Sequence, residues 1–203
     1  SKRAWFMYLQ WQGYLSTGQE ALDVDLRDAT IATIGNSTYL YTSTGVNGGV
    51  AVYELSAQGT TAQLVDQQFF NGQTSAVAGG VVEVVEMGGQ THLVFGSAPG
   101  DGLVGYSLSG QGNIGGVTSL VPTTGATGQM SAMAVANTGG GTLIYTIDAG
   151  TGTLMMHSLP QSGGQIGATP DGAGAPVAQS TAITFSANTQ IETVSVGGTA
   201  FLL

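Results

Sequence analysis

Cysteine is absent from the 203 residues, which excludes a disulfide framework, a thiol nucleophile and a thiolate metal site. The compartment stays open on this ground alone, because extracellular proteins can also lack cysteine. Positive charge is nearly absent too: Lys2, Arg3 and Arg27 stand against 12 acidic residues, for a net charge of −9 and an isoelectric point near 4.1. Nucleic acids and anionic membrane surfaces are bound by Lys and Arg that displace condensed counterions. From Asp28 to Leu203 there is neither. A nucleic-acid partner is therefore not expected, and a divalent cation is the more natural ionic one. Aromatic residues make up only 7%, and no apolar stretch nears the 18 residues a spanning helix requires; the longest near the start is Ala4 to Leu9. Membrane insertion is not expected.

Charged residues are 7% of the chain, so Ser, Thr, Asn and Gln must keep the surface wet. Such polarity is common in secreted bacterial repeat proteins, and it points to an extracellular or cell-surface location. The chain does not start at Met, shows no secretion signal, and stops inside a repeat. It is expected to continue past residue 203 or to be completed by separate chains. Type I secretion would leave no N-terminal signal.

Glycine, with 34 residues, dominates what is present. It is costly inside a helix and free of penalty where φ is positive, so many short strands joined by tight turns are expected. Internal similarity supports this. Thr38-Tyr39-Leu40-Tyr41-Thr42-Ser43 aligns with Thr91-His92-Leu93-Val94-Phe95-Gly96, with Thr142-Leu143-Ile144-Tyr145-Thr146 and with Thr199-Ala200-Phe201-Leu202-Leu203, at offsets of 53, 51 and 57 residues. Each anchor strand follows another alternating stretch: Ala29 to Ile34, Val81 to Glu86, Ser131 to Ala136, and Ile191 to Val196. Gly or Asn turns join them, the chemistry of hairpins. A third strand follows the anchor at 48–55, 100–108 and 152–159. There Tyr53, Tyr106 and His157 share one column, and Leu55, Leu108 and Leu159 share another on the same face. A weaker fourth strand is expected on Gln63 to Gln67, Val117 to Val121 and Gln165 to Ala168.

Four antiparallel strands per unit of about fifty residues is the arithmetic of a β-propeller blade. The expected fold is all-β, a partial propeller as the chain stands. Its divisions are an N-terminal aromatic segment or partial blade at 1–27, blades at 28–80, 81–129 and 130–189, and the start of a fourth at 190–203. Another repeated β architecture and a sandwich are the alternatives. A β-helix would use shorter coils, and a sandwich does not ordinarily repeat its own sequence.

Candidate functional residues are few. His92 and His157 fall in columns otherwise aromatic or apolar, which reads as packing. Asp23, Asp25 and Asp28 could place hard oxygens around calcium, with loop capping as the competing role. Trp5 and Trp11, the two tryptophans of the chain, lie in one aromatic stretch with Phe6 and Tyr8. They either cover the first blade or form a binding surface for a protein or a glycan. Gly-rich stretches lack the Lys-Ser/Thr of a phosphate loop, and no zinc-protease or nucleophile-elbow pattern occurs. Asn36-Ser37-Thr38 matches a glycosylation acceptor, a motif common by chance.

The run Thr38-Tyr39-Leu40-Tyr41, then Gly48-Gly49-Val50-Ala51-Val52-Tyr53-Glu54-Leu55, then Leu64-Val65-Asp66 resembles propeller-type segments near the N-termini of large hemolysin-type, calcium-binding repeat proteins of marine alphaproteobacteria. More distantly it is similar to lactonase-like propellers. The first resemblance implies export and calcium repeats elsewhere in such proteins; this chain has no nonapeptide calcium repeat. The second transfers no polar residues position by position. A non-catalytic extracellular scaffold or adhesion module, binding a protein or glycan surface within a larger protein, is the leading expectation. A subunit of an extracellular filament or virion appendage, completed by another chain, and a propeller hydrolase or lyase are the alternatives.

Overall fold

A computed structural model describes residues 13–45, 48–69, 80–96, 103–121, 130–138, 141–148, 152–159, 175–176, 185, 189–196 and 199–203. They form an all-β chain of antiparallel sheets, with one helical turn, α1 (Glu20–Asp23), before the first strand. The first sheet runs β1 (Leu26–Ile34), β2 (Ser37–Thr44), β3 (Gly49–Leu55) and β4 (Ala62–Phe69). The second runs β5 (Val82–Met87), β6 (Gln90–Gly96), β7 (Leu103–Leu108) and β8 (Ile114–Val121). The third holds β9 (Met130–Thr138), β10 (Gly141–Asp148), β11 (Thr153–Leu159) and β12 (Ala175–Pro176); the fourth is the hairpin β13 (Thr193–Val196) and β14 (Thr199–Leu202). In every sheet the strands neighbour one another in chain order.

Turn chemistry sets the register. Ile34 pairs with Ser37 across Gly35-Asn36, with φ of +62° at Gly35, the first central position of a two-residue hairpin loop. Met87 pairs with Gln90 across Gly88 and Gly89, with φ of +58° and +76°. Both central residues of that turn need the left-handed region, which glycine enters without steric cost. The expected fourth strand at Gln165 to Ala168 lies outside the described residues, and the two-residue β12 pairs with β11 further along the chain. Pro176 is tolerated there because β12 is the outermost strand.

The core lies between sheets. Ile34, Tyr39, Tyr41, Val50 and Val52 of the first sheet meet Val82, Leu93, Phe95, Val104 and Tyr106 of the second. On the other side of the second sheet, Val85, Met87, Val94 and Leu103 meet Met130, Met133, Ile144 and Leu159 of the third. Ala132, Ala134, Ile147 and Leu154 then meet Ile191, with Phe185 and Leu202 alongside. Period-two alternation explains the difference between strands. In β2, Tyr39, Tyr41 and Ser43 are buried while Thr38, Leu40 and Thr42 between them are half-buried, whereas in β6 residues 92 to 96 are all buried because both faces are covered.

Polar contacts tie the same interfaces. The Val82 N–H donates to Asp28 Oδ2 at 2.9 Å and the Ile114 N–H to Asp66 Oδ2 at 2.8 Å. The Tyr41 hydroxyl donates to the Gly112 carbonyl at 2.9 Å, and Thr142 Oγ1 to the Glu86 carbonyl at 2.9 Å. First strands touch in series, β1 with β5, β5 with β9 and β9 with β13. The described sheets do not close into a ring or barrel.

Candidate functional site

The first strands bring together side chains that are far apart in sequence. Thr30, Glu83, Ala134 and Glu192 each precede by four residues the one that closes its hairpin, namely Ile34, Met87, Thr138 and Val196. They therefore hold equivalent places in the four sheets. Glu83, Ala134 and Glu192 line a recess of about 380 Å³ together with Asn137 and Thr193. Thr193 Oγ1 donates to the Val135 carbonyl and closes one side of it.

Glu83 is the electrostatically unusual member. Its Oε2 accepts from Thr30 Oγ1 at 2.9 Å. Burial pushes its pKa above the ordinary glutamate value; the Thr30 bond opposes this, Asp28 adds to it, the Val84 backbone bond opposes it, and Glu192 adds to it. Arg27, the only Lys or Arg among the described residues, is bonded instead to Asp25. Two carboxylates and an amide offer hard oxygens, yet among the described residues no three His, Asp or Glu side chains form a group able to hold a metal ion.

Asp23, Asp25 and Asp28 are not brought together. Asp23 clasps the preceding turn, accepting from Ser16 Oγ at 2.6 Å, the Thr17 N–H at 2.7 Å, Thr17 Oγ1 at 2.8 Å and the Gly18 N–H at 3.2 Å. Those bonds, Ser16 first, hold its pKa below the usual carboxylate value. Asp25, at φ +56°, pairs with Arg27 Nη2 at 2.8 Å, and Asp28 accepts from the Ala29 and Val82 N–H groups. Each carboxylate thus serves its own local partners, where calcium needs six to eight oxygens converging on one point. Trp5 and Trp11 lie outside the described residues.

The histidines sit in packing positions. His92 is buried opposite Val85, with Nδ1 3.2 Å from the Gln90 carbonyl, and burial lowers its pKa. His157 is buried opposite Ile144, with Nε2 3.1 Å from Thr146 Oγ1.

Matching Val81 to Glu86 with Ile191 to Val196 sets Glu83 against Thr193, one residue out of the register the hairpins define, and so hides the two carboxylates of the recess. Counting back from the Gly-Gly turn in both hairpins sets Glu83 level with Glu192, a signal present in the sequence.

Shallow polar recesses also lie at the hairpin ends. One of about 480 Å³ is lined by Asn36, Ser37, Thr38, Glu54, Ser56, Thr61 and Gln63, and an adjoining one of about 560 Å³ reaches Tyr39, Gln111 and Asn113. Ser37 Oγ donates to Glu54 Oε1 there at 2.6 Å. Between the second and third sheets a recess of about 360 Å³ is lined by Glu86, Gly88, Gly89, Asn137, Thr138 and Thr142. No protein-family model matches the chain, and no curated protein is significantly similar to it.

Proposed function

We propose that the chain is a non-catalytic binding scaffold of propeller type, working outside the cell or on its surface, in which successive sheets are blades that present polar recesses to a protein or glycan. The observation that carries this reading is the recurrence of hydroxyl, amide and carboxylate recesses at hairpin ends held by sheets packed face to face. Serial contact between first strands favours the propeller over other repeated β arrangements, because a propeller gathers one edge strand of every blade about its axis. The side chains lining these recesses recognise by hydrogen bonding, and open polar recesses suit an extended hydrophilic surface better than a small apolar ligand.

The labelled chain should be retained by intact bacterial cells, extracellular matrix or immobilised glycans, and Glu54→Ala with Gln63→Ala should reduce that retention at least several-fold while leaving the circular dichroism spectrum unchanged. Retention equal to that of an unrelated acidic protein of the same size, before and after substitution, would overturn the proposal.

A further inference from the structure

The fourth sheet turns one face to the third, and among the described residues nothing covers the other. Ile191 and Leu202 pack inward, whereas on the opposite face Val196 is 61%, Phe201 49% and Leu203 72% exposed, with Val194 between them. Hairpin register shows what covers such a face elsewhere. Val85 and Met87 of the second sheet are equivalent to Val194 and Val196 and are buried beneath Met130, Met133 and Ile144 of the next sheet. Ala32 and Ile34 of the first sheet, the same two places again, pack on Val82, Leu93 and Phe95. This leading face is built to receive the trailing face of another sheet of the same repeat.

A matching trailing face is exposed at the other end of the chain. Ala29, Ile31 and Leu40 of the first sheet occupy the places of Val82, Val84 and Leu93 in the second. Ala29 and Ile31 are exposed, Ile31 to 62%, whereas Val82 is buried and Val84 half-buried. Among the described residues, cover on this face comes from α1, which lies against β2 and β3 with Leu22 buried, and Tyr53 is buried on β3.

We infer that a second copy of this chain docks head to tail, the bare face of its β1 covering Val194, Val196 and Phe201 as each sheet covers its predecessor within one chain. The inference rests on the reading of the sheets as blades. It is a heterologous contact, and it closes a ring when two copies each supply one head and one tail. Apolar faces of this kind on a soluble protein mark association sites.

Light scattering coupled to size exclusion should give a mass twice the 20.4 kDa of one chain. Phe201→Glu at the tail and Ile31→Glu at the head should each halve that mass with no change in circular dichroism, because both side chains are exposed in one copy. Mixing the two variants should restore part of the dimer, since one retains a tail and the other a head. A wild-type chain that stays monomeric up to its solubility limit overturns the inference and makes a further repeat unit the occupant. A dimer broken by Phe201→Glu but not by Ile31→Glu is tail to tail, and overturns it too. The blade reading fails separately, if Asp28→Ala, which removes the acceptor of the Val82 N–H, leaves the melting temperature unchanged.

Discussion

Tyr41 is fully buried, and its hydroxyl reaches across to the Gly112 carbonyl in the neighbouring sheet. Burial drives its pKa far above that of a free phenol, with Tyr39 and Asp66 adding to the effect, so the proton stays in place for donation. Tyr41→Phe leaves a buried carbonyl without its donor and should cost about 1–3 kcal/mol in urea unfolding. Gly112 itself is constrained from two sides. Its φ is +74°, and a Cβ there would stand 2.8 Å from the Tyr39 ring. Gly112→Ala is expected to destabilise by roughly 1–3 kcal/mol, through overpacking and backbone strain together. An unchanged urea midpoint in either variant would show that the 109–113 turn does not bear on the first sheet. Asp23 illustrates the opposite case of an exposed, hydrogen-bonded carboxylate. Its folded pKa lies below the free value, so its clasp on residues 16–18 holds at neutral pH and is lost as pH falls through that lowered pKa. The side-chain NMR titration of Asp23 should show this midpoint displaced downward, and the displacement should shrink in Ser16→Ala.

At the level of the strand, β5 carries both a packing role and a charge. Val82 and Val85 bury on opposite faces, and Glu83 between them turns to Thr30 on β1, with Asp28 and Glu192 adding negative potential. Because its folded pKa is raised above the unfolded value, the native state binds more protons between the two, and stability must fall as pH rises through that interval. The penalty is complete above the folded pKa. Glu83→Gln is therefore expected to raise the melting temperature above the folded pKa and to flatten its dependence on pH over the interval between the free glutamate value and that raised pKa. The excess of acid over base contributes a parallel trend of its own, so the variant must be compared with wild type at each pH. Identical pH profiles would place Glu83 in solvent. Strand β12 shows how short an edge can be: two residues pair with Met155 and Met156, and nothing in their local sequence marks them as a strand.

Across the whole molecule, cohesion comes from sheets clamped face to face in series. The second sheet is covered on both sides, whereas the first is covered on one side by the second sheet and on the other only in part, by α1 over β2 and β3 among the described residues. The distribution of basic residues gives this molecule an unusual proteolytic signature. Trypsin cuts after Lys and Arg, and none follows Arg27, so even the denatured 203-residue chain should yield an intact product covering residues 28–203 by mass spectrometry. Smaller tryptic pieces from that region would contradict the sequence. Within the folded protein, Arg27 is held by Asp25, and cleavage there should be slower than in urea.

Sequence alone determined the all-β class, the positions of most strands and the hairpin partners, because period-two alternation and Gly or Asn turns are local properties written every few residues. It also determined that His92 and His157 lie in packing columns, since the matching positions in other repeats are apolar or aromatic. Tertiary structure decided what depends on distance between repeats. Asp23, Asp25 and Asp28 read alike as neighbouring carboxylates, and only folding sent one to a turn, one to Arg27 and one to the next sheet. Glu83 and Glu192 are 109 positions apart, and their shared recess exists because consecutive first strands touch, a relation no local pattern encodes. Whether a valine in an alternating strand is buried or bare was settled in the same way: Val85 and Val194 hold the same place in their hairpins, and only Val85 has a sheet above it.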